Sequence, residues 1–526
     1  MKKILISAIQ SLFATFILLA VLEGGTRLAG IAPGGATFTE SIIIRNKLST
    51  QKPADEFRIF AYGESSMHGS HYFPASSPAR WMEAYLKEFL PGKKIRVVTF
   101  ARMGQGSQKT YETVRDTVAY KPDLLVFYYG HNFMLPGNRK DQVLSKMRGS
   151  SFFWREVLRQ SHFLSWIYRA AITPKILSKK ENPFEDSIEY KVIESDPSGL
   201  GPENAFALDS PVYLQNLAYL KENTLEILDL ARKNNSKVIF CKPAGNLKDF
   251  PPYTSKHTAN LSKEGEEKWQ DLYEKGLTAE GSGLLKEASD FFAKAYEIDP
   301  TYADLDFRYA SLLLKQGNLE LAKKLFIQAR DYDLVKVRAT SDVESFYDEL
   351  KKEGLPVVDT EKTLISEAAG GILGEPIIED NVHMSIKGHS LLGHAIADEI
   401  ADQGWIAPRS EWQFGLQHTF EDISKELGVN DDLLFSADLK MVHYFGSRFE
   451  NRIRFAEKAL ALRPNDPKAL RHLAWSYWLK GDQQKAFEYY SILKKMHPEA
   501  LSEVFQNRPE LAKAFLEKFP ETTSIK

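Results

Sequence analysis

The stretch Phe57-Arg58-Ile59-Phe60-Ala61-Tyr62-Gly63-Glu64-Ser65-Ser66-Met67-His68-Gly69 decides the reading of this chain. An apolar run, Phe57–Tyr62, meets a glycine, and a serine follows at once. Short, mostly hydrophobic runs of this kind suit parallel strands covered on both faces. A serine on a tight turn between strand and helix lies at the carboxyl edge of the sheet, where open α/β sheets place ligands. Outward from this segment the pattern repeats. Apolar runs at Ile95–Phe100, Leu124–Tyr129, Lys237–Cys241 and Pro356–Val358 alternate with helical patterns such as Ala79–Leu90, Gln108–Ala119 and Leu214–Asn234. Strand–helix alternation predicts an α/β fold with a doubly wound parallel sheet.

Composition narrows the classes. The 526 residues carry 68 Lys+Arg against 70 Asp+Glu, a net charge of -2, which gives no overall electrostatic pull toward nucleic acid. Hydrophobic residues make up 43%, a globular share that excludes wholesale disorder. One cysteine, Cys241, excludes an internal disulfide and thiolate-rich zinc or iron–sulfur sites. It follows a strand core and reads as a buried apolar filler.

The N-terminal thirty residues read as a membrane segment. Lys2 and Lys3 precede an uncharged apolar run, Ile4–Leu22, followed by Glu23 and Arg27. At ~1.5 Å per residue this run covers roughly 28 Å, about one hydrocarbon core. The run is long for a cleaved signal and lacks a strong cleavage site, so the expectation is an uncleaved signal anchor. The paired lysines place the N-terminus in the cytoplasm, and the bulk of the chain on the periplasmic side of the membrane. Residues 31–55 read as a linker.

Two regions break the strand–helix alternation. Gly276, Gly283, Ala288, Phe292 and Ala295 recur as Ala310, Gly317, Ala322, Phe326 and Ala329. The offset is the ~34-residue tetratricopeptide period. The phrase returns as Ala474, Tyr477, Gly481, Ala486, Tyr490 and Pro498. Small residues let paired helices approach, and the aromatic fills the gap. The expected domains are the anchor at 1–30, an α/β body at 56–262 and 336–405, inserted repeats at 263–335, and further repeats at 440–515.

The candidate chemistry sits at the other strand ends. The second strand leads to Ala101-Arg102-Met103-Gly104-Gln105-Gly106, where Gly104 offers a bare backbone N–H to an oxyanion. The third ends at Gly130-His131-Asn132, and Asn132 offers an amide donor. After the last strand comes Asp380-Asn381-Val382-His383. A carboxylate three residues before an imidazole can orient it to deprotonate Ser65.

Four such blocks in this order resemble the SGNH (GDSL-type) hydrolases, whose Ser, Gly, Asn and His blocks match Gly63-Glu64-Ser65, Gly104, Gly130-His131-Asn132 and Asp380–His383. The likeness covers roughly residues 55–262 and 336–403. The phrase Pro243–Pro252 and the repeat insertion look like bacterial tetratricopeptide-containing members. The resemblance implies a flavodoxin-like parallel sheet sandwiched by helices. It also implies an ester or acyl hydrolase with a Ser65–His383–Asp380 triad, and an oxyanion hole of the Ser65 N–H, the Gly104 N–H and the Asn132 side chain. Glu64 replaces the aspartate of the family's first block. Phe133 stands where many members have an aspartate, and Phe100 near where many have an asparagine.

Other readings stand beside these. Ser65 as a helix cap is the structural alternative. His68 and His71 with His131 are a thin metal set, and no metal or organic cofactor is implied. Glu64 reads as a turn-stabilising acceptor. Arg330, Asp331 and Arg338 read as an ion-pair set where the repeats rejoin the body. Residues 140–180 mix Phe152, Phe153, Trp154, Phe163, Trp166 and Tyr168 with Arg148, Arg155, Arg159 and Arg169. They read as a lid or packed helix, with a basic membrane-interface stretch as the alternative. The leading function is hydrolysis of an acyl ester on a cell-envelope carbohydrate or lipid. Acyl transfer by the same triad, and a non-catalytic scaffold binding protein through its repeats, are the competitors.

Overall fold

The computed structural model describes residues 2–34, 37–147, 150–178, 204–415, 417–446 and 448–518. They fall into two compact units. The first contains the sheet and the inserted helices up to Gln417, and the second contains His71–Ser76 and the helices after His418. In the first unit the chain opens with α1 (Lys2–Leu28) and α2 (Thr37–Arg45). Then come β1 (Glu56–Gly63), α3 (Ser65–His68), α4 (Pro78–Phe89), β2 (Lys94–Thr99), α5 (Ser107–Thr117) and β3 (Leu124–Tyr128). Helices α6 (Lys140–Met147), α7 (Ser150–Gln160) and α8 (His162–Ser178) follow. Later come helix Pro211–Lys233, β4 (Lys237–Lys242) and, after the inserted repeats, β5 (Val357–Asp359). Helix Ile386–Gln403 closes the body.

The sheet is parallel throughout, in the order β2-β1-β3-β4-β5. Each predicted strand lies within two residues of the observed one. The crossover that leaves β1 runs to β2 on one side, and the crossover that leaves β3 runs to β4 on the other. The carboxyl ends of β1 and β3 thus form the topological switch point where such sheets hold ligands. One face of the sheet is an aromatic ladder across neighbouring strands. Tyr62 stacks on Phe127 (5.1 Å between centroids) and on Phe100 (5.6 Å), and Phe127 stacks on Phe240 (5.1 Å). The other face receives α4, whose first turn is capped by the Ser77 hydroxyl accepting from the Arg80 N–H (3.2 Å), with Pro78 at the first helical position. Helix α4 packs tightly on Ile386–Gln403, where a Cβ on Gly393 would stand 2.6 Å from that of Trp81.

The stretch read as a linker holds α2. Its Ile43 is buried in the cluster beneath the sheet, and Glu40 pairs with Arg169 of α8 (2.6 Å). The apolar triplet Ile42–Ile44 supplies a face worth burying, which a solvated linker lacks.

The insertion forms two helical hairpins, Lys263–Gly281 with Leu285–Ile298 and Ala303–Lys315 with Leu319–Tyr332. Gly276 shows why a small residue recurs. A Cβ there would stand 2.3 Å from the Phe292 ring. In the second hairpin Ala310 and Phe326 share one core. In the second unit, helices start at Phe420 and run to Lys518, with Ala459, Ala474, Ala486 and Tyr490 fully buried.

Helix α1 includes a segment, Ile6–Leu28, long and apolar enough to cross a membrane.

Candidate active site

The site is assembled from the carboxyl ends of β1, β2 and β3 and from the loop before Ile386–Gln403. Gly63 ends β1 under constraint: a Cβ on it would lie 2.2 Å from the Tyr128 carbonyl oxygen. Only a glycine lets β1 turn so close to β3. Glu64 then takes the cap position of α3, in extended conformation, and Ser65 is the first helical residue. Ser65 therefore does not fill the capping position that was its structural alternative.

The Glu64 carboxylate, itself buried, accepts three backbone N–H groups of the third block: Gly130 (3.0 Å), His131 (3.0 Å) and Asn132 (3.2 Å). The turn carrying Ser65 and the loop carrying Asn132 are thereby one hydrogen-bonded body. Glu64 is the turn-stabilising acceptor foreseen, but the turn it stabilises is the neighbouring strand's.

The second block joins the same body. The Arg102 N–H donates to the Gly63 carbonyl (3.1 Å), and Gly104 adopts a left-handed φ of 63°, which favours glycine. The Asn132 amide donates to the Gln105 carbonyl (3.4 Å). Sequence reasoning missed Asn138. Its amide donates to the carbonyls of both Gly104 and Asn132, at 3.0 Å each, and supports the loop. Only the preceding Pro136-Gly137 turn hints at it. The phenylalanines that depart from the family pattern serve the core instead. Phe100 stacks on Tyr62, and Phe133 meets Tyr213 edge-on at 5.6 Å.

The fourth block is a tight loop organised by its own carboxylate. Asp380 accepts from the N–H groups of Val382 (2.8 Å) and His383 (2.7 Å), while its other oxygen meets His383 Nδ1 at 2.5 Å. Bonded in this way, Nδ1 is fixed toward the carboxylate and Nε2 faces the opposite side of the ring. The loop is seated on the first block, because the Ser66 hydroxyl donates to the Val382 carbonyl (3.1 Å). From the other side the Pro243–Pro252 phrase holds it. Asn246 donates its N–H to the Asn381 carbonyl (2.9 Å) and its amide to the Ile378 carbonyl (3.1 Å). Asn381 in turn donates to the Val337 carbonyl (3.0 Å). The side chains of Ser65, Asn132, Asp380 and His383 are all in buried residues.

Two further histidines are kept neutral. Burial lowers the pKa of His131 to about 3, and His383 and the nearby arginines add to the shift. Burial lowers that of His68 to about 4, with His383 and Arg102 contributing. His131 Nδ1 accepts from the Ala339 N–H (3.1 Å), which removes that nitrogen from any metal set. His71 falls in the second unit.

The ion-pair set at the insertion's return is present. The Arg330 guanidinium meets Asp331 (3.0 Å) and donates to Ser341 (2.9 Å), and it also pairs with Glu344. Arg338 donates to the carbonyls of Asn246 (2.7 Å) and Phe250 (3.0 Å), so it also supports the phrase beneath the fourth block.

A family model for the tetratricopeptide repeat matches residues 280–334. No curated protein sequence matches the chain. Similar solved structures include a GDSL-like lipase from Bacteroides thetaiotaomicron, at 12% identity, covering 70% of this chain and 99% of that one with a TM-score of 0.31. A catalytic mutant of an acetylxylan esterase from Geobacillus stearothermophilus is similar at 12% identity, covering 65% and 93%, with a TM-score of 0.28. By its own strand order, and by the four blocks gathered at one edge of the sheet, the chain resembles the SGNH (GDSL-type) hydrolases, with tetratricopeptide repeats inserted.

Proposed function

We propose that the protein is a membrane-anchored serine esterase acting on acyl esters. Ser65 is the nucleophile, His383 the base that takes its proton, and Asp380 the group that orients and steadies the imidazole. The observation carrying this reading is the Asp380–His383 contact at 2.5 Å in a loop hydrogen-bonded to the Ser65–Ser66 turn. Attack by Ser65 Oγ on the ester carbonyl makes a tetrahedral oxyanion. The N–H groups of Ser65 and Gly104 and the Asn132 amide stabilise it. His383 then protonates the departing alcohol, and water releases the acyl group by the same route in reverse. The N–H of Ser65 suits this task because a first-turn N–H has no partner inside its helix.

The substrate class proposed is an acylated carbohydrate or lipid of the cell envelope. It is consistent with a chain tethered by α1 with its body on the periplasmic side. The repeats are proposed to recruit a protein.

The test is turnover of p-nitrophenyl acetate by the full-length protein in detergent beside Ser65→Ala. Loss by roughly a thousandfold or more is expected. Equal rates would remove the assignment. A fluorophosphonate probe should modify Ser65, and labelling nowhere would favour the scaffold.

A further inference from the structure

The arginines of α7 and α8 point inward, and Lys175, in the last turn of α8, is an exposed cation. Arg159 forks onto Asp116 of α5 (2.6 and 3.1 Å), Arg155 reaches Glu112 (3.4 Å), and Glu156 accepts from Arg115 (2.8 Å). On α8, Arg169 forks onto Glu40 of α2 (2.6 and 3.0 Å). With the arginines spent on the body, the apolar residues are left outside. Phe153 is 60% exposed, Trp154 62%, Trp166 50% and Leu177 62%, with Leu164 and Ile167 also exposed. This reverses the usual amphipathic arrangement of a soluble helix.

The same pair is fastened to the end of α1. The Glu23 carboxylate accepts from the Ser161 hydroxyl (2.9 Å) and from the N–H groups of His162 and Phe163 (3.1 Å each). Glu23 is the first charge after the apolar run of α1, so it marks the edge of the hydrocarbon layer. The first turn of α8 is therefore held at that level. Past α1 the strap continues: Arg169 donates to the Ala32 carbonyl (2.6 Å), and Tyr168 meets Thr37 (2.7 Å).

We infer that α7 and α8 form an interfacial platform, their aromatic and aliphatic side chains seated in the boundary between lipid headgroups and acyl chains. Tryptophans at the boundary and a burial depth of ~5–10 Å are what such helices show. The occupant of the exposed face is the bilayer because the face is continuous with the helix that spans it. The contact is apolar rather than electrostatic, since Arg155, Arg159 and Arg169 are engaged with carboxylates. The platform also reaches the site. Its arginines grip α5, which begins directly after the Gly104–Gly106 loop. It would hold the oxyanion-forming loop at a set height above the membrane, suited to a substrate carried in or on the lipid.

The inference rests on α1 spanning the membrane, and the test separates the two. Spin labels are placed on the full-length protein in phosphatidylcholine nanodiscs by Ile17→Cys, Trp154→Cys, Trp166→Cys and Leu319→Cys. These positions are exposed in the protein, and the native Cys241 is buried, so the unsubstituted chain is the background control. Accessibility to oxygen against a water-soluble nickel complex reports depth. The labels at 154 and 166 should be protected from nickel several-fold relative to 319 and lie shallower than 17. Adding phosphatidylglycerol should not deepen them. Labels at 154 and 166 as aqueous as 319, with 17 in hydrocarbon, overturn the platform and leave the anchor standing; the face then belongs to a lid or a protein partner. An aqueous label at 17 overturns both. Protection that appears only with phosphatidylglycerol overturns the apolar mechanism.

Discussion

At the scale of single residues, Glu64 is the side chain on which the arrangement turns. Its carboxylate satisfies three N–H groups buried in the third block, and unsatisfied buried donors cost ~1–3 kcal/mol each. Glu64→Ala should therefore lower stability by about 3 kcal/mol or more, read from the urea midpoint. It should also cut ester turnover at least tenfold, because Asn132 loses its seat. His131 and His68 make a second prediction. Their folded pKa values, about 3 and about 4, lie below the ordinary value of 6.5, so the unfolded chain binds more protons in acid. The stability they contribute is complete above pH ~6.5 and is lost as pH falls toward those values. At pH 5 each should cost roughly 2 kcal/mol relative to pH 7, and His131→Asn should flatten the dependence of Tm on pH. Ser65 and His383 stood out in the sequence because each lies beside a strand end or a carboxylate. Asn138 and Asn246 did not, because an asparagine in a loop carries no sign of which distant carbonyl it will reach.

At the scale of elements, close approach decides which glycines matter. Gly63→Ala would drive a methyl group into the Tyr128 carbonyl, so β1 or β3 must move. A loss of more than about 2 kcal/mol is expected, of the size seen for overpacking. Gly281→Ala is the control, with open space where its Cβ would stand. It should stay within about 0.5 kcal/mol of the parent or gain slightly, since alanine favours a helix. The strands and the helical hairpins were legible because their signals are local: apolar runs of the right length and a repeated small–aromatic spacing. The orientation of α7 and α8 was not. The list of arginines and aromatics is the same whichever face carries them, and only Glu112, Asp116 and Glu40, far away in the chain, draw the arginines inward.

At the scale of the whole first unit, the insertion and the body are joined through Arg330. Its buried guanidinium holds the half-buried carboxylates of Asp331 and Glu344. Arg330→Ala should cost about 3–5 kcal/mol because it strands these carboxylates, while removing an exposed pair such as Lys275–Asp271 should cost well under 1 kcal/mol. Urea denaturation of the two variants distinguishes them. The joint bears on the site as well, since Arg338 a few residues on supports the phrase beneath the Asp380–His383 loop.

Taken alone, the amino-acid order determined the strands, the repeated hairpins, the apolar N-terminal helix and the four blocks with their candidate side chains. Those features follow from neighbours a few bonds to a few turns apart, where periodicity, sterics and capping act. Only the tertiary structure decided that Glu64 ties two strand ends together, that the Ser66 hydroxyl seats the His383 loop, and that α7 and α8 turn their aromatic face outward. Each of these joins groups separated by tens to hundreds of residues. Their meeting is set by the parallel strand order and its crossovers, which no local run of side chains encodes.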